Sequence, residues 1–262
     1  MRRIRSSTRH SLSAPCRRLV STTLVAAGLL AGLGAAAQSL GIPEYTATYD
    51  AYYKSKRVGR SEFSVTALDT ANQYQYRSST RVKGLLRLVA PNPAIDVSRF
   101  EVVDGGLRPL QFSYEDGSRK GEDNFTLDFD WSTKVATAAG DFGQRNFDLH
   151  PGMLDRGSVQ VEIMRRLGSC RAPGSFEIVN DDGASTYDYE PIEPADAETG
   201  LGMIPAQRYQ QQREGSSRRT VLWVAPSLSY LPVRIEQYRN GELDTAFVLD
   251  SIDGIEKSQD PC

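Results

Sequence analysis

Residues 45–53 read YTATYDAYY, and residues 125–131 read FTLDFDW. In the first stretch Tyr45, Ala47, Tyr49, Ala51 and Tyr53 alternate with Thr46, Thr48, Asp50 and Tyr52. In the second, Phe125, Leu127, Phe129 and Trp131 alternate with Thr126, Asp128 and Asp130. A period of two belongs to an extended strand, whose successive side chains point to opposite faces. Each run has one apolar or aromatic face and one wet face, as an antiparallel sheet covered on one side requires. The same period continues through Phe63 and Val65, through Tyr74 and Tyr76, and through Leu110, Phe112 and Tyr114.

Turn chemistry separates the runs. Asp104-Gly105-Gly106, Asp116-Gly117, Asp181-Asp182-Gly183 and Asn240-Gly241 each sit between alternating segments, and glycine tolerates the positive φ that tight hairpins need. Pro91 and Pro93 make residues 85–93 a loop or short helix. Later strands are predicted over residues 175–180, 184–190, 203–212, 218–225, 230–238 and 242–252. Some of these are apolar on both faces, as in Val221-Leu222-Trp223-Val224, which requires a sheet covered on both sides. The cover is a helix predicted over residues 154–167, with Val159, Ile163, Met164 and Leu167 as its apolar stripe, Asp155 as N-cap and Gly168 as stop. The acidic residues 191–200 read as a solvated loop. The expected fold is mainly β: one highly curved antiparallel sheet, or an incomplete β-barrel built as a meander, with one main α-helix packed on it.

The first 37 residues hold six Arg and no Lys, Asp or Glu, and end in an apolar stretch closing on Ala35-Ala36-Ala37. This is the pattern of a cleavable signal peptide, with cleavage near Ala37 and Gln38 as the first residue of the remainder. An uncleaved anchor is the competing reading, weakened by Ser21, Thr22, Thr23 and several glycines in the stretch. Removing six of the 31 Lys and Arg leaves 25 against 33 Asp and Glu, a net charge of −8. That balance excludes a general nucleic-acid binder, which needs clustered cations. Residues 38–262 then form a single β-rich domain, not an integral membrane protein once the signal is gone.

Three Cys and two His narrow the chemistry further. Cys16 and His10 fall in the signal. Cys170 and Cys262 remain, an even pair expected to be disulfide-bonded in an exported protein, with two free thiols as the alternative. His150, before Pro151-Gly152, reads as a loop residue. Neither a metal site, a cofactor motif nor a Gly-x-Ser-x-Gly elbow is legible. Asp130, beside Trp131, and the Asp181-Asp182 pair read as solvated turn carboxylates.

Five segments carry a family resemblance: residues 49–59 (YDAYYKSKRVG), 107–114 (LRPLQFSY), 129–131 (FDW), 154–167 (LDRGSVQVEIMRRL) and 222–235 (LWVAPSLSYLPVRI). In their order and spacing the chain resembles the bacterial domain-of-unknown-function family 3108, a group of exported envelope proteins. Gly157, at the start of the helix, is a mild departure from the family pattern. The resemblance implies a β-rich periplasmic domain and brings no catalytic residue with it.

The aromatic face is the candidate site. Tyr45, Tyr49, Tyr53, Phe63, Tyr76, Phe112, Phe129, Trp131 and Trp223 are the residues that a concave sheet could gather into an apolar surface with polar tips. Such a sheet either packs its own interior or leaves a groove for a lipid or peptide segment. The leading functional reading is a non-enzymatic periplasmic carrier or chaperone that holds an acyl chain, a lipoprotein anchor or an envelope-protein segment. The alternative is a structural or assembly partner acting through a sheet edge. An enzyme is the weakest reading.

Overall fold

The computed structural model describes residues 39–213, 215–258 and 262. The expected signal segment lies outside the described residues. The chain forms one sheet of fourteen antiparallel strands. In chain order these are β1 (Tyr45–Tyr53), β2 (Lys56–Ala67), β3 (Gln73–Val82), β4 (Ala94–Val103), β5 (Gly106–Glu115), β6 (Phe125–Asp130), β7 (Val135–Gly140) and β8 (Gly143–Asp148). After the helix α1 (Ser158–Gly168) come β9 (Gly174–Asn180), β10 (Gly183–Thr199), β11 (Gly202–Gln212), β12 (Arg218–Ala225), β13 (Leu231–Arg239) and β14 (Glu242–Asp253). The spatial order is β8 through β1, then β14 down to β9. The first and last strands pair at the centre, and α1 is the one crossover, carrying the chain from one edge to the other.

Tight turns set the registers. Lys54-Ser55, Asp104-Gly105 and Asn240-Gly241 all have positive φ at both positions and join directly paired strands, the geometry that matches the twist of a hairpin. Two of the three carry the Asx-Gly pair that chemistry prefers; Lys54-Ser55 does not. Between β3 and β4 the chain makes a short 3-10 helix, Gly84–Leu88.

The helix is anchored before its first turn. The Asp155 carboxylate accepts from the backbone N–H of Gly157 (2.7 Å) and Ser158 (2.9 Å), while Ser158 Oγ accepts from the Asp155 N–H (2.9 Å). This reciprocal pair has the pattern of a capping box, and the regular helix begins at Ser158 rather than at 154 as expected. Its far end is a Schellman turn. Cys170 N–H donates to the Leu167 carbonyl, Arg171 N–H donates to that of Arg166, and Cys170 itself has φ +56. The left-handed position usually given to glycine is thus taken by Cys170 rather than by Gly168, and its sulfur is bonded to Cys262.

Two cores result. The first surrounds α1: Val159, Val161, Ile163, Met164 and Leu167 meet Tyr45, Tyr49, Phe63, Tyr76 and Phe100 on one side and Phe176, Tyr189, Tyr209, Leu222 and Leu249 on the other. The second joins Phe112, Phe125, Leu127, Phe129, Ala136 and Ala138 to Leu149, Met153 and Val179. Ile178 lies in the first core and its neighbour Val179 in the second. Adjacent strand residues face opposite ways, so β6–β8 lie over the outer side of β9. The sheet is therefore a roll with overlapping edges, not a closed barrel. Leu154 takes up β9's edge, donating to the Glu177 carbonyl and accepting from Val179 N–H.

The loop expected over residues 191–200 is strand as far as Thr199: Pro191, Ile192 and residues 195–199 pair with β11 across a bulge. Pro191 and the bulge obscure the period, and β9 accompanies β10 only as far as Tyr189, so the prolines sit on an edge that tolerates a missing N–H. At the hairpin tip the Gly200 N–H reaches the Leu249 carbonyl (2.8 Å), with Asp250 backbone packed where a Cβ would stand.

The disulfide spans 92 residues. Replacing Cys262 by Ser, or reducing the bond, is expected to lower unfolding free energy by about 3–5 kcal/mol in urea titrations; a loss below about 1 kcal/mol would show that the crosslink adds little to an end already held by packing.

Candidate functional site

In an antiparallel meander alternate connections share an end. Residues 54–55, 83–93, 116–124, 181–182, 213–217 and 240–241 lie at one end of the roll, here the mouth. A cavity of about 660 Å³ opens among residues near this end. Its apolar part comes from Phe63, Val159, Ile178, Leu222, Ile235 and Phe247, and its polar part from Tyr76, Tyr187, Tyr189, Gln160, Asn180, Gln211 and Gln237. Five arginines (156, 213, 218, 219 and 239) and three aspartates (96, 182 and 244) line it. The surroundings are therefore cationic in a chain whose overall charge is negative. Arg218 and Arg239 are direct cross-strand partners, a like-charge pairing that costs stability.

Arg156 is the central group. Its guanidinium pairs with Asp96 (3.0 Å), whose other oxygen accepts from Ser78 Oγ (3.0 Å). It also lies 5.2, 4.6 and 5.3 Å from the ring centres of Phe112, Tyr114 and Phe125, within cation–π range. It thus joins the cavity wall to the second core. Its Nε, Gln160 Oε1 and Asn180 Oδ1 are buried polar atoms without a protein partner, all on cavity-lining residues.

Beside it, Asp155 is fully buried and accepts from Ser98 Oγ (2.7 Å) as well as from the helix N–H groups. Burial pushes its carboxyl up to about 6, against the opposing pull of the Ser158, Ser98 and Gly157 donors. Burial also raises the Tyr76 phenol, with Tyr45, Asp96 and Asp155 adding to it. Gly157 has no room for a side chain: a Cβ there would stand 2.6 Å from Ser98 Cβ and 2.8 Å from the Tyr76 ring. This packing accounts for a glycine at the start of a helix.

The nine aromatic candidates separate. Phe63 and Tyr76 line the cavity. Tyr45 and Tyr49 are buried against the helix and the far end; the Tyr49 hydroxyl donates to the Pro232 carbonyl (2.7 Å). Phe112 and Phe129 fill the second core, with Trp131 stacked on Phe129 and donating to the Pro109 carbonyl (2.6 Å). Trp223 lies between Arg208 and Arg234 and donates to Glu236 (3.1 Å). Tyr53 ends β1 on the surface rather than on the inward face, beyond a bulge at Ala51/Tyr52. Sequence reading missed Arg156, Gln160 and Asn180. The Asp155-x-x-Ser158 spacing was the legible signal for that region.

The Asp130 carboxylate is lowered to about 2, chiefly by the Ser132 hydroxyl. His150 is exposed. Among the described residues no group of three or more His, Cys, Asp or Glu could hold a metal ion, and no helix is long and apolar enough to cross a membrane.

The fold and cavity define a class: a rolled antiparallel sheet wound on one helix, open at one end. Residues 48–245 match the family model described as "Protein of unknown function (DUF3108)", and the chain belongs to that family. Among solved structures it is similar to a beta-barrel-like protein of domain of unknown function DUF1849 from Brucella abortus (9% identity, TM-score 0.44, 82% of this chain and 99% of that one). A second is a protein provisionally described as exported, with a YmcC-like fold, from Bacteroides fragilis (14%, 0.34, 80% and 95%). A third, from Parabacteroides distasonis, is provisionally described as a lipoprotein (8%, 0.33, 81% and 96%). Comparison with curated proteins finds no match.

Two outcomes test the site. An acid whose pKa is raised in the fold binds its proton more tightly there than in the unfolded chain, so it favours folding below pH about 4 and loses that contribution as pH rises to about 6. Asp155→Asn removes this. The stability of the wild type relative to that variant should fall by about 2 kcal/mol from pH 4 to pH 7; urea titrations showing a constant difference would refute the buried carboxyl's role. Gly157→Ala should cost about 1–3 kcal/mol through overpacking, read as a drop in thermal midpoint.

Proposed function

We propose that the domain is a non-enzymatic carrier or chaperone of the cell envelope. It takes an acyl chain, or an apolar segment of an envelope protein, into the mouth cavity. The observation that carries this reading is the cavity's two-part lining, with an apolar wall of Phe63, Ile178, Leu222 and Phe247 beneath an arginine-rich rim. Apolar walls with a few convergent polar groups are what small-molecule sites present. Arginine is suited to carboxylate or phosphate heads, so the favoured ligand is an anionic amphiphile. Removal of residues 1–37 on export to the periplasm belongs to the same proposal, and the Cys170–Cys262 bond is in keeping with an oxidising compartment. The second reading, assembly through a sheet edge, has a handle in β8, which pairs with β7 alone.

Native mass spectrometry of protein purified from the periplasm should find a co-purifying amphiphile and an N-terminus at Gln38. A fluorescent fatty acid should bind, Thr220→Trp should block the mouth, and Arg218→Gln with Arg219→Gln should weaken the fatty acid more than a neutral analogue of equal chain length. Protein that carries nothing and binds neither probe would sink the carrier reading and leave the edge reading to be tested by crosslinking from β8.

A further inference from the structure

Five of the seven large apolar residues exposed among the described residues lie at the mouth end, on two adjacent connections. The 3-10 segment between β3 and β4 presents Leu85, Leu88 and Val89 at 84, 68 and 70% exposure, with Leu86 beside them, and the β1–β2 turn presents Tyr53 at 45%. These connections are neighbours: the Lys83 N–H donates to the Val58 carbonyl (2.8 Å), and Gly59 pairs with Val82.

Cations surround this apolar tip. Lys54 lies in the first turn and Lys56 follows it, and Lys83 and Arg87 flank and interrupt the leucines. None of these four forms an ion pair with a carboxylate among the described residues. The nearby Asp50 and Asp250 are already taken by Arg57 and Arg60. Lys54 and Ser55 hold positive φ values of 45° and 66°, a conformation that side chains other than Gly, Asn or Asp adopt at a cost. The turn therefore keeps a cation at its tip at some expense in backbone energy.

We propose that this tip is a docking surface for a bilayer rich in anionic phospholipid. Leu85, Leu88 and Val89 enter the acyl boundary, Tyr53 sits at headgroup depth, and the four cations meet lipid phosphates. Among the described residues, the opposite end of the roll exposes Leu201 and Met203 as its only large apolar side chains. The surface goes beyond the cavity reading and does not depend on it. With the tip docked, the mouth faces the membrane.

The test is flotation of the exported, purified protein with phosphatidylcholine vesicles containing about one third phosphatidylglycerol, and with pure phosphatidylcholine. Wild type should float with the anionic vesicles and release at high salt. Leu85→Ser with Leu88→Ser and Val89→Ser, and separately Lys83→Glu with Arg87→Glu, should each weaken binding at least about tenfold at an unchanged thermal midpoint. Met203→Ser should bind as wild type. All variants share one N-terminus, so its contribution cancels. Equal flotation of the triple-serine variant, or none by wild type, overturns the proposal. Equal binding to pure phosphatidylcholine removes the role of charge and overturns it as stated. A wild-type dimer that the serines convert to monomer, with no vesicle binding, assigns the tip to a second copy instead.

Discussion

A fourteen-stranded sheet with one apolar face has to hide that face, and here it does so by closing on α1. The helix buries most of its surface, including Glu162, which is paired with Arg165 and Arg166. It is held at both ends. Asp155 and Ser98 bind its start to β4, while Arg165 donates to the carbonyls of Leu40 (2.6 Å) and Gly105 (2.9 Å) near its finish. The disulfide fastens the turn that follows. Helix position is thus fixed by polar contacts to β4, to the β4–β5 turn and to the segment before β1, and the apolar contacts of the first core follow from it.

The mouth cavity is a consequence of unequal lengths. Eleven helical residues span about 16 Å, whereas a ten-residue strand such as β3 spans about 33 Å. One helix cannot line the whole roll. Its far half is filled by Met164 and Leu167 with Tyr45, Leu228, Tyr230 and Leu231. The half beyond Asp155 is lined mostly by side chains from the sheet wall, joined by Arg156, Val159 and Gln160 from the helix and its start, and many of these are long and polar. Space is left where the arginines converge.

The strands were legible because their period is local. β12 and the Asn240-Gly241 hairpin fall where the sequence placed them, since alternation and positive-φ turns need no knowledge of partners. The helix was legible as a stripe, and its capping pair was present as Asp155 and Ser158. What period alone cannot supply is which inward residues meet. Tyr49 and Phe129 have the same alternation, yet one lies against the helix and the other in the overlap of the two edges. That separation depends on how far the sheet curls. Arg156 was hidden for a related reason: its aromatic partners lie on β5 and β6, distant in sequence and adjacent only after rolling. The strand at 191–199 was lost because its prolines and acids belong to an open edge, where composition resembles that of a loop.

The overlap also explains why the sheet does not become a barrel. A closed barrel fixes its diameter through strand number and register, and closure here would require β8 to pair with β9. The segment before α1 prevents this, because Leu154 already occupies the hydrogen-bonding edge of β9. β8, with mostly exposed polar residues, passes outside instead. The joint is then made by side chains: Val179, Met153 and Leu149 packed beneath Phe112, Leu127 and Phe129, with Arg145 donating to the Asp181 carbonyl at the rim (3.1 Å). A joint of this kind has no ladder register to preserve. Arg156 contacts the rings of that joint on one side and Asp96 on the cavity wall on the other. The width of the mouth and the packing of the overlap therefore share a single residue.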